Sequence, residues 1–252
     1  LIGGIGSIGR VSSYLVPVMA GLYIAGGLWV LITFADKLPE SFAMIFSSAF
    51  TGEAARGGFL GAGVILALQF GVARGISSNE AGLGSAPIAA AAAKTDVPGR
   101  QALISMTTVF LSTIVVCTIT ALVIAVTGVL GELDANGQLL NGPPLVMHAF
   151  RQAIPHGDSI VAIGVVLFGF STIIGWAYYG EKCIEYLFSE RAIIYYRIVF
   201  CLIVFSGTLL SIDIVWPLVD IMNGLMALPN LIGLFALSGI IVAESRLFFD
   251  LL

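Results

Sequence analysis

Long charge-free stretches separated by short polar ones dominate the chain. Six stand out: 25 residues at 11–35, 17 at 57–73, 31 at 101–131, 22 at 159–180, 15 at 198–212 and 23 at 221–243. A helix that crosses the hydrocarbon core of a bilayer needs about 20 predominantly apolar residues. Each run therefore predicts a membrane helix, and Arg197 can snorkel at the end of the fifth. The predicted spans cover approximately 11–35, 58–80, 102–128, 159–180, 194–212 and 226–244.

The connections assign an orientation. With Arg10 on the cytoplasmic side, alternation places Lys94, Arg100, Lys182, Arg191, Arg197 and Arg246 inside as well, and leaves Lys37, Arg56 and Arg151 outside. Seven against three follows the positive-inside rule, with Arg74 set apart because it falls in an irregular segment. The outer connection at 38–50 reads as a short amphipathic helix opened by Pro39. The one at 132–158 reads as a polar turn followed by an amphipathic piece after Pro143-Pro144. A third short piece, 214–225, is expected at the outer surface before the last span, where Trp216 suits the interface.

Composition agrees with this pattern. Hydrophobic residues make up 58% of the 252, charged residues only 10%, and the mean hydropathy is +1.04. A soluble domain carries about 25% charged residues, so lipid must cover much of this surface. The 30 glycines suit helices whose backbones approach closely. Net charge is −4 with no basic stripe, which excludes nucleic acid as an expected partner. Cys117, Cys183 and Cys201 are isolated and read as small buried hydrophobes rather than metal ligands or disulfides. The chain opens Leu1-Ile2-Gly3-Gly4 without Met or a basic leader, and reads as a piece whose N-terminal portion is missing.

One segment departs from the helix pattern. Between Gln69 and Pro87 stand four glycines (Gly71, Gly75, Gly82, Gly84) and a proline, with Arg74, Asn79 and Glu80 among them. One reading is a cytoplasmic loop beginning at Arg74, 17 charge-free residues after Arg56. The other is a discontinuous helix. Unwound backbone at membrane depth is tolerated only where protein buries it or a wet cavity meets it. Its helix ends offer dipoles and free backbone groups to ions and zwitterions.

The stretch Arg74-Gly75, then Ser78-Asn79-Glu80-Ala81-Gly82-Leu83-Gly84-Ser85-Ala86-Pro87, resembles a motif of the alanine or glycine:cation symporter family. Further agreement comes from residues 16–20, 170–176 with Tyr179-Gly180-Glu181, and Val215-Trp216 with Asp220, Asn223 to Met226 and Pro229-Asn230. The resemblance covers nearly the whole chain and corresponds to about the C-terminal half of a full-length member. It implies an all-α membrane protein, the C-terminal six-helix portion of a five-plus-five inverted-repeat transporter fold with a discontinuous helix. The activity it implies is secondary active symport of alanine or glycine with a cation by alternating access, in the cell membrane. Sodium is the expected coupling ion and a proton the alternative. No cofactor is implied, and a fragment without the first four core helices should not transport by itself.

Roles follow for single residues. Val72 lies about 14 residues after Gly58, or roughly 20 Å along a helix, just past the membrane middle. A break there would give Gln69, Phe70, Gly71 and Val72 to the substrate, with Phe70 capping the pocket. The alternative for Phe70 is core or lipid packing. Ser171 and Thr172 are candidate sodium ligands, since sodium prefers hydroxyl and carbonyl oxygens; alternatively their hydroxyls bond back along the helix. Trp176 shares a helix face with Thr172 and could line the pocket, its ring rejecting larger side chains, or simply pack. Arg74, Gly75, Ser78, Asn79, Glu80 and Gly82 are assigned to gating or structure. Arg74 and Glu80 are expected to pair with each other or with the missing half, and a buried Glu80 could carry a proton. His148 and His156 are expected to be solvated, and Asp213 and Asp220 interfacial or capping. A channel would need pore loops or charge rings, and an enzyme a catalytic pair at membrane depth; the spans show neither.

Overall fold

The computed structural model describes residues 4–50, 64–134 and 137–250, with side chains over 9–47, 71–134 and 137–250. The described residues are mostly helical, with an isolated antiparallel bridge between Leu133 and Leu139. In order they form α1 (Gly4–Thr33), a 3₁₀ turn (Ala35–Lys37), α2 (Leu38–Phe50), α3 (Val64–Asn79), α4 (Ser85–Ala90) and α5 (Pro98–Val109). A π-helical stretch (Phe110–Cys117) joins α5 to α6 (Thr118–Thr127). Then come α7 (Gly142–Arg151), α8 (Gly157–Leu187), a 3₁₀ turn (Glu190–Ala192), α9 (Ile193–Gly207), α10 (Ile212–Ala236) and α11 (Ser238–Asp250).

Among the described residues, four helical segments are long and apolar enough to cross a bilayer: Gly9–Thr33, Pro98–Thr127, Gly157–Leu187 and Ile212–Ala236. The chain is a multi-pass, all-α membrane protein. Helices suit that solvent because each satisfies its backbone groups within itself.

The structure redraws some of the spans read from charge-free runs. Of the span at 58–80, residues 58–63 lie outside the described set, and α3 covers the rest. The fifth, α9, has 15 residues. At the C-terminal end, the short outer piece at 214–225 and the span at 226–244 are replaced by one 25-residue helix, α10, followed by α11. The charge at Asp220 cut the apolar run in two, yet the helix carries straight through it and through Pro217 and Pro229. The helix at Leu38–Phe50 and the one following Asn141 do form, as α2 and α7.

Two compact units share the chain, with α3, the π stretch and α8 each running from one to the other. The unit of residues 1–71 and 114–175 has the denser core: Val30, Val123, Val126, Val129, Ala149 and Phe150 are essentially inaccessible. Tyr23 lies 5.5 Å from the Phe150 ring and edge-on to Phe168, and its hydroxyl shares a 2.7 Å hydrogen bond with Thr120. Gly26 and Gly27 make this packing possible, since a Cβ on Gly26 would lie 2.9 Å from Phe150 and one on Gly27 would strike Ile119. Close approach at small residues drives helix association where lipid removes the hydrophobic drive between helices. His148, on α7, is not simply solvated: its Nε2 lies 2.7 Å from the Glu132 carboxylate.

In the unit of residues 72–113 and 176–252, α11 seats Phe248 against Gly99 at the start of α5, and Tyr196 of α9 closes over Gly180 of α8. Arg197 does not snorkel. Its Nε and Nη2 donate to the two carboxylate oxygens of Glu181 at 2.6 and 2.9 Å. The three cysteines are exposed rather than buried.

Candidate functional site

The interruption foreseen between Gln69 and Pro87 is real but lies later than Gly71. The helix α3 runs unbroken from Val64 to Asn79, and the backbone unwinds over residues 80–84 before α4 begins at Ser85. Gly71 and Gly75 are tolerated inside the helix, at roughly 1 kcal/mol each relative to alanine in soluble hosts. Gly82 and Gly84 instead take φ of +83° and +87°, a region open to glycine at no steric cost. Residues 69–72 therefore sit on continuous helix, and no free backbone is exposed at Gly71 by an unwound turn. The side chains of Gln69 and Phe70 lie outside the described set.

Glu80 is the first residue of the turn. Its N–H still donates to Ile76 O at 2.8 Å, while its φ of +55° turns the chain out of the helix. Glycine or asparagine is usual at that position. Asn79 braces the turn on both sides: its Oδ1 accepts from the Ala81 N–H at 2.9 Å, and its Nδ2 donates to Thr113 of the π stretch at 3.2 Å. The Glu80 carboxylate accepts from the Ser85 hydroxyl at 2.6 Å on one oxygen and from the Trp176 indole N–H at 3.0 Å on the other. One side chain thus joins both rims of the gap to α8. Tyr179 stacks edge-on against Trp176, with ring centres 5.8 Å apart. Beside Glu80 opens a cleft of about 420 Å³, walled by Ser78, Asn79 and Tyr179, by Gln101 and Ser105 of α5 and by Ser112 of the π stretch.

A second set of contacts ties this region to α10. Arg74 does not reach Glu80; its guanidinium donates to Asp220 at 2.6 Å and lies 4.1 Å over the Trp216 ring. Three residues on, Ser77 receives the amide of Asn223 at 3.0 Å, and the Gly82 carbonyl receives that of Asn230 at 2.9 Å. Asp220 is therefore an ion-pair partner within a helix that can cross the membrane, not a surface cap, and Trp216 is a platform for a cation rather than a bare interfacial anchor. The sequence signal for this ladder was available: three polar residues at 220, 223 and 230 in an otherwise apolar segment are costly in lipid unless partnered. Ser85 and Tyr179 stand in the stretches that carry the family resemblance, but no role was read for them, because their contacts with Glu80 and Trp176 come only from packing.

Ser171 and Thr172 lie one turn before Trp176 on α8. The Ser171 hydroxyl donates to the Phe168 carbonyl at 2.9 Å, the local bond that was its alternative reading, and Thr172 is exposed. The structure thus gathers Ser78, Asn79, Glu80, Gly82 and Trp176 around the turn, and Arg74 beside it. Gly75 lies on α3 with no side chain or neighbouring backbone within 4 Å of where a Cβ would stand.

Sequence comparison decides the family. The model of the sodium:alanine symporter family matches residues 1–251. The chain belongs to that family. The sodium/alanine symporter AgcS of Methanococcus maripaludis is 50% identical over 98% of the chain, which covers 53% of AgcS. An uncharacterized transporter of Haemophilus influenzae is 45% identical over 99% of the chain and 54% of its own length. The probable sodium/glutamine symporter GlnT of Bacillus subtilis is 40% identical over 96% and 49%. The chain spans about half the length of these relatives.

Proposed function

We propose that this chain forms part of a secondary active symporter that carries a small neutral amino acid, alanine or glycine, with sodium. The observation that carries the reading is the gap in the α3–α4 helix at residues 80–84, held open by polar contacts within a family of sodium:alanine symporters. A helix end leaves carbonyl and N–H groups without intrahelical partners, which is what a zwitterion needs at membrane depth. Alanine is the favoured substrate because AgcS, named a sodium/alanine symporter, shares half of the residues. Sodium is favoured because it stands in the names of both AgcS and GlnT. Trp176 walls the amino-acid pocket, and Ser171 and Thr172 on the preceding turn offer oxygens to the ion. Alternating access moves the broken-helix portion against a scaffold, with the inverted-repeat architecture as its frame.

Uptake of labelled alanine by the full-length transporter in proteoliposomes tests this. Uptake that needs an inward sodium gradient supports it. Uptake driven by a proton gradient and indifferent to sodium replaces sodium by a proton, and uptake of no small neutral amino acid under either gradient overturns the reading.

A further inference from the structure

Glu80 occupies backbone that few residues other than glycine adopt, and it does so with a partly buried carboxylate at the end of α3. Both features are costly. A left-handed backbone is strained for a residue that carries a Cβ, and a carboxylate withdrawn from water is expensive wherever it is not hydrogen-bonded. What distinguishes the position is where the side chain goes. One oxygen is held by Ser85 at 2.6 Å, across the unwound turn, and this fixes the carboxylate plane. The other oxygen meets the Trp176 indole N–H at 3.0 Å. Glycine would make the same turn more cheaply but could hold nothing.

An indole has a single N–H donor. Binding it to a fixed acceptor selects one orientation of the ring from those open to a broad side-chain torsion. Tyr179, edge-on at 5.8 Å, backs the ring on another side. We propose that Glu80 is a positioning residue: through its bond to Trp176 it sets the indole plane, and so sets the size of the side chain that the transporter accepts. This rests on the reading of Trp176 as a wall of the amino-acid pocket. Unwound turn and selectivity wall are then one device, since a turn that rearranges releases the ring. Ser85 acts one step further out, by holding the carboxylate.

The test is competition against labelled alanine uptake by the full-length transporter in proteoliposomes, with 2-aminobutyrate, one methylene longer, as competitor. One methylene in a tight pocket discriminates by about 10-fold or more. Glu80→Ala and Trp176→Phe, each of which removes the bond, should both erode the preference for alanine over 2-aminobutyrate by about tenfold, and the double variant should erode it no further. Glu80→Gln should keep the preference, because its amide oxygen still accepts from the indole while Ser85 can accept from its amide N–H₂. A merely structural Glu80 would lower maximal uptake of both amino acids equally and leave their ratio unmoved.

If Trp176→Phe shifts the ratio and Glu80→Ala does not, the positioning role is overturned while the pocket reading survives. If Glu80→Gln behaves like Glu80→Ala, charge rather than ring geometry is the property that counts, and the proposal fails. If neither Trp176→Phe nor Trp176→Ala moves the ratio in an active transporter, Trp176 is not a pocket wall and both readings fall. Should Glu80→Ala not fold, Ser85→Ala carries the test: freeing one carboxylate oxygen should move the ratio in the same direction, and an unchanged ratio overturns the proposal.

Discussion

Gly84 and Gly71 look alike in the sequence and behave differently in the fold. Gly84 holds φ at +87°, and a Cβ on it would lie 3.2 Å from the Asn230 side chain, whereas a Cβ on Gly71 meets nothing within 4 Å on continuous helix. Gly84→Ala should therefore lower the melting temperature of the purified transporter in detergent, with about 1–2 kcal/mol from the backbone alone. Gly71→Ala should leave the melting temperature unchanged or raise it; equal effects from the two would contradict the position of the break. The Glu181–Arg197 pair makes a sharper case. The Glu181 side chain is only 7% exposed and both of its oxygens are engaged by the guanidinium. Removing one partner of a fully buried pair costs about 3–5 kcal/mol, and since Arg197 is itself about one-quarter exposed the loss here should fall below that range. Arg197→Ala should be among the most destabilising changes in this half of the protein, and Arg197→Lys, which cannot fork, should recover only part of the loss. By contrast Asp96→Ala, which breaks an exposed pair with Arg100, should change stability by less than about 1 kcal/mol in the same melting assay.

The ladder between the α3 segment and α10 is the property of two elements rather than of one residue. Arg74 and Asp220 are each about one-third exposed, so their bond is partly screened, but Trp216 beneath the guanidinium adds a cation–π contact at 4.1 Å. A double-mutant cycle with Arg74→Gln and Asp220→Asn, read by thermal melting, should give a coupling energy of about 0.5–3 kcal/mol, and additive effects would dissolve the latch. The same ladder explains what could and could not be read from the chain. The apolar runs at α1, α5 to α6 and α8 were legible because nothing charged interrupts them. The extent of α10 was not, because Asp220 counts as a break until its partner, 146 residues away in sequence, is known. The glycines and proline between Gln69 and Pro87 announced that a helix would fail there. They could not say where, because Gly82 and Gly84 were selected for unwinding over Gly71 and Gly75 by contacts with Asn230, Ser85 and Trp176, all supplied by packing. Glu80 was legible as an ionisable residue needing partners, and its actual partners, two neutral donors, were not.

At the scale of the whole molecule the charge distribution makes one claim about every helix at once. On the alternation read from the sequence, seven of the eleven basic residues are expected on the side of Arg10 and three opposite, and the remaining one, Arg74, pairs with Asp220 on α10. Extending the last span to Ile212–Ala236 leaves that expected balance intact, since Asp213 still opens the span and Arg246, on α11, still follows it. The exposed thiol of Cys183 neighbours Lys182 at the end of α8 expected to be cytoplasmic, and Gln138 is exposed in the turn expected to be outside. In right-side-out vesicles, a full-length transporter retaining Cys183 as its sole thiol should resist a membrane-impermeant maleimide until the membrane is permeabilised. The matching variant without Cys183 and with Gln138→Cys should be labelled at once. The reverse pattern would place seven basic residues outside against three inside, against the positive-inside rule. Labelling of both sites from outside would mean that α8 does not cross the bilayer, despite 31 residues of apolar helix.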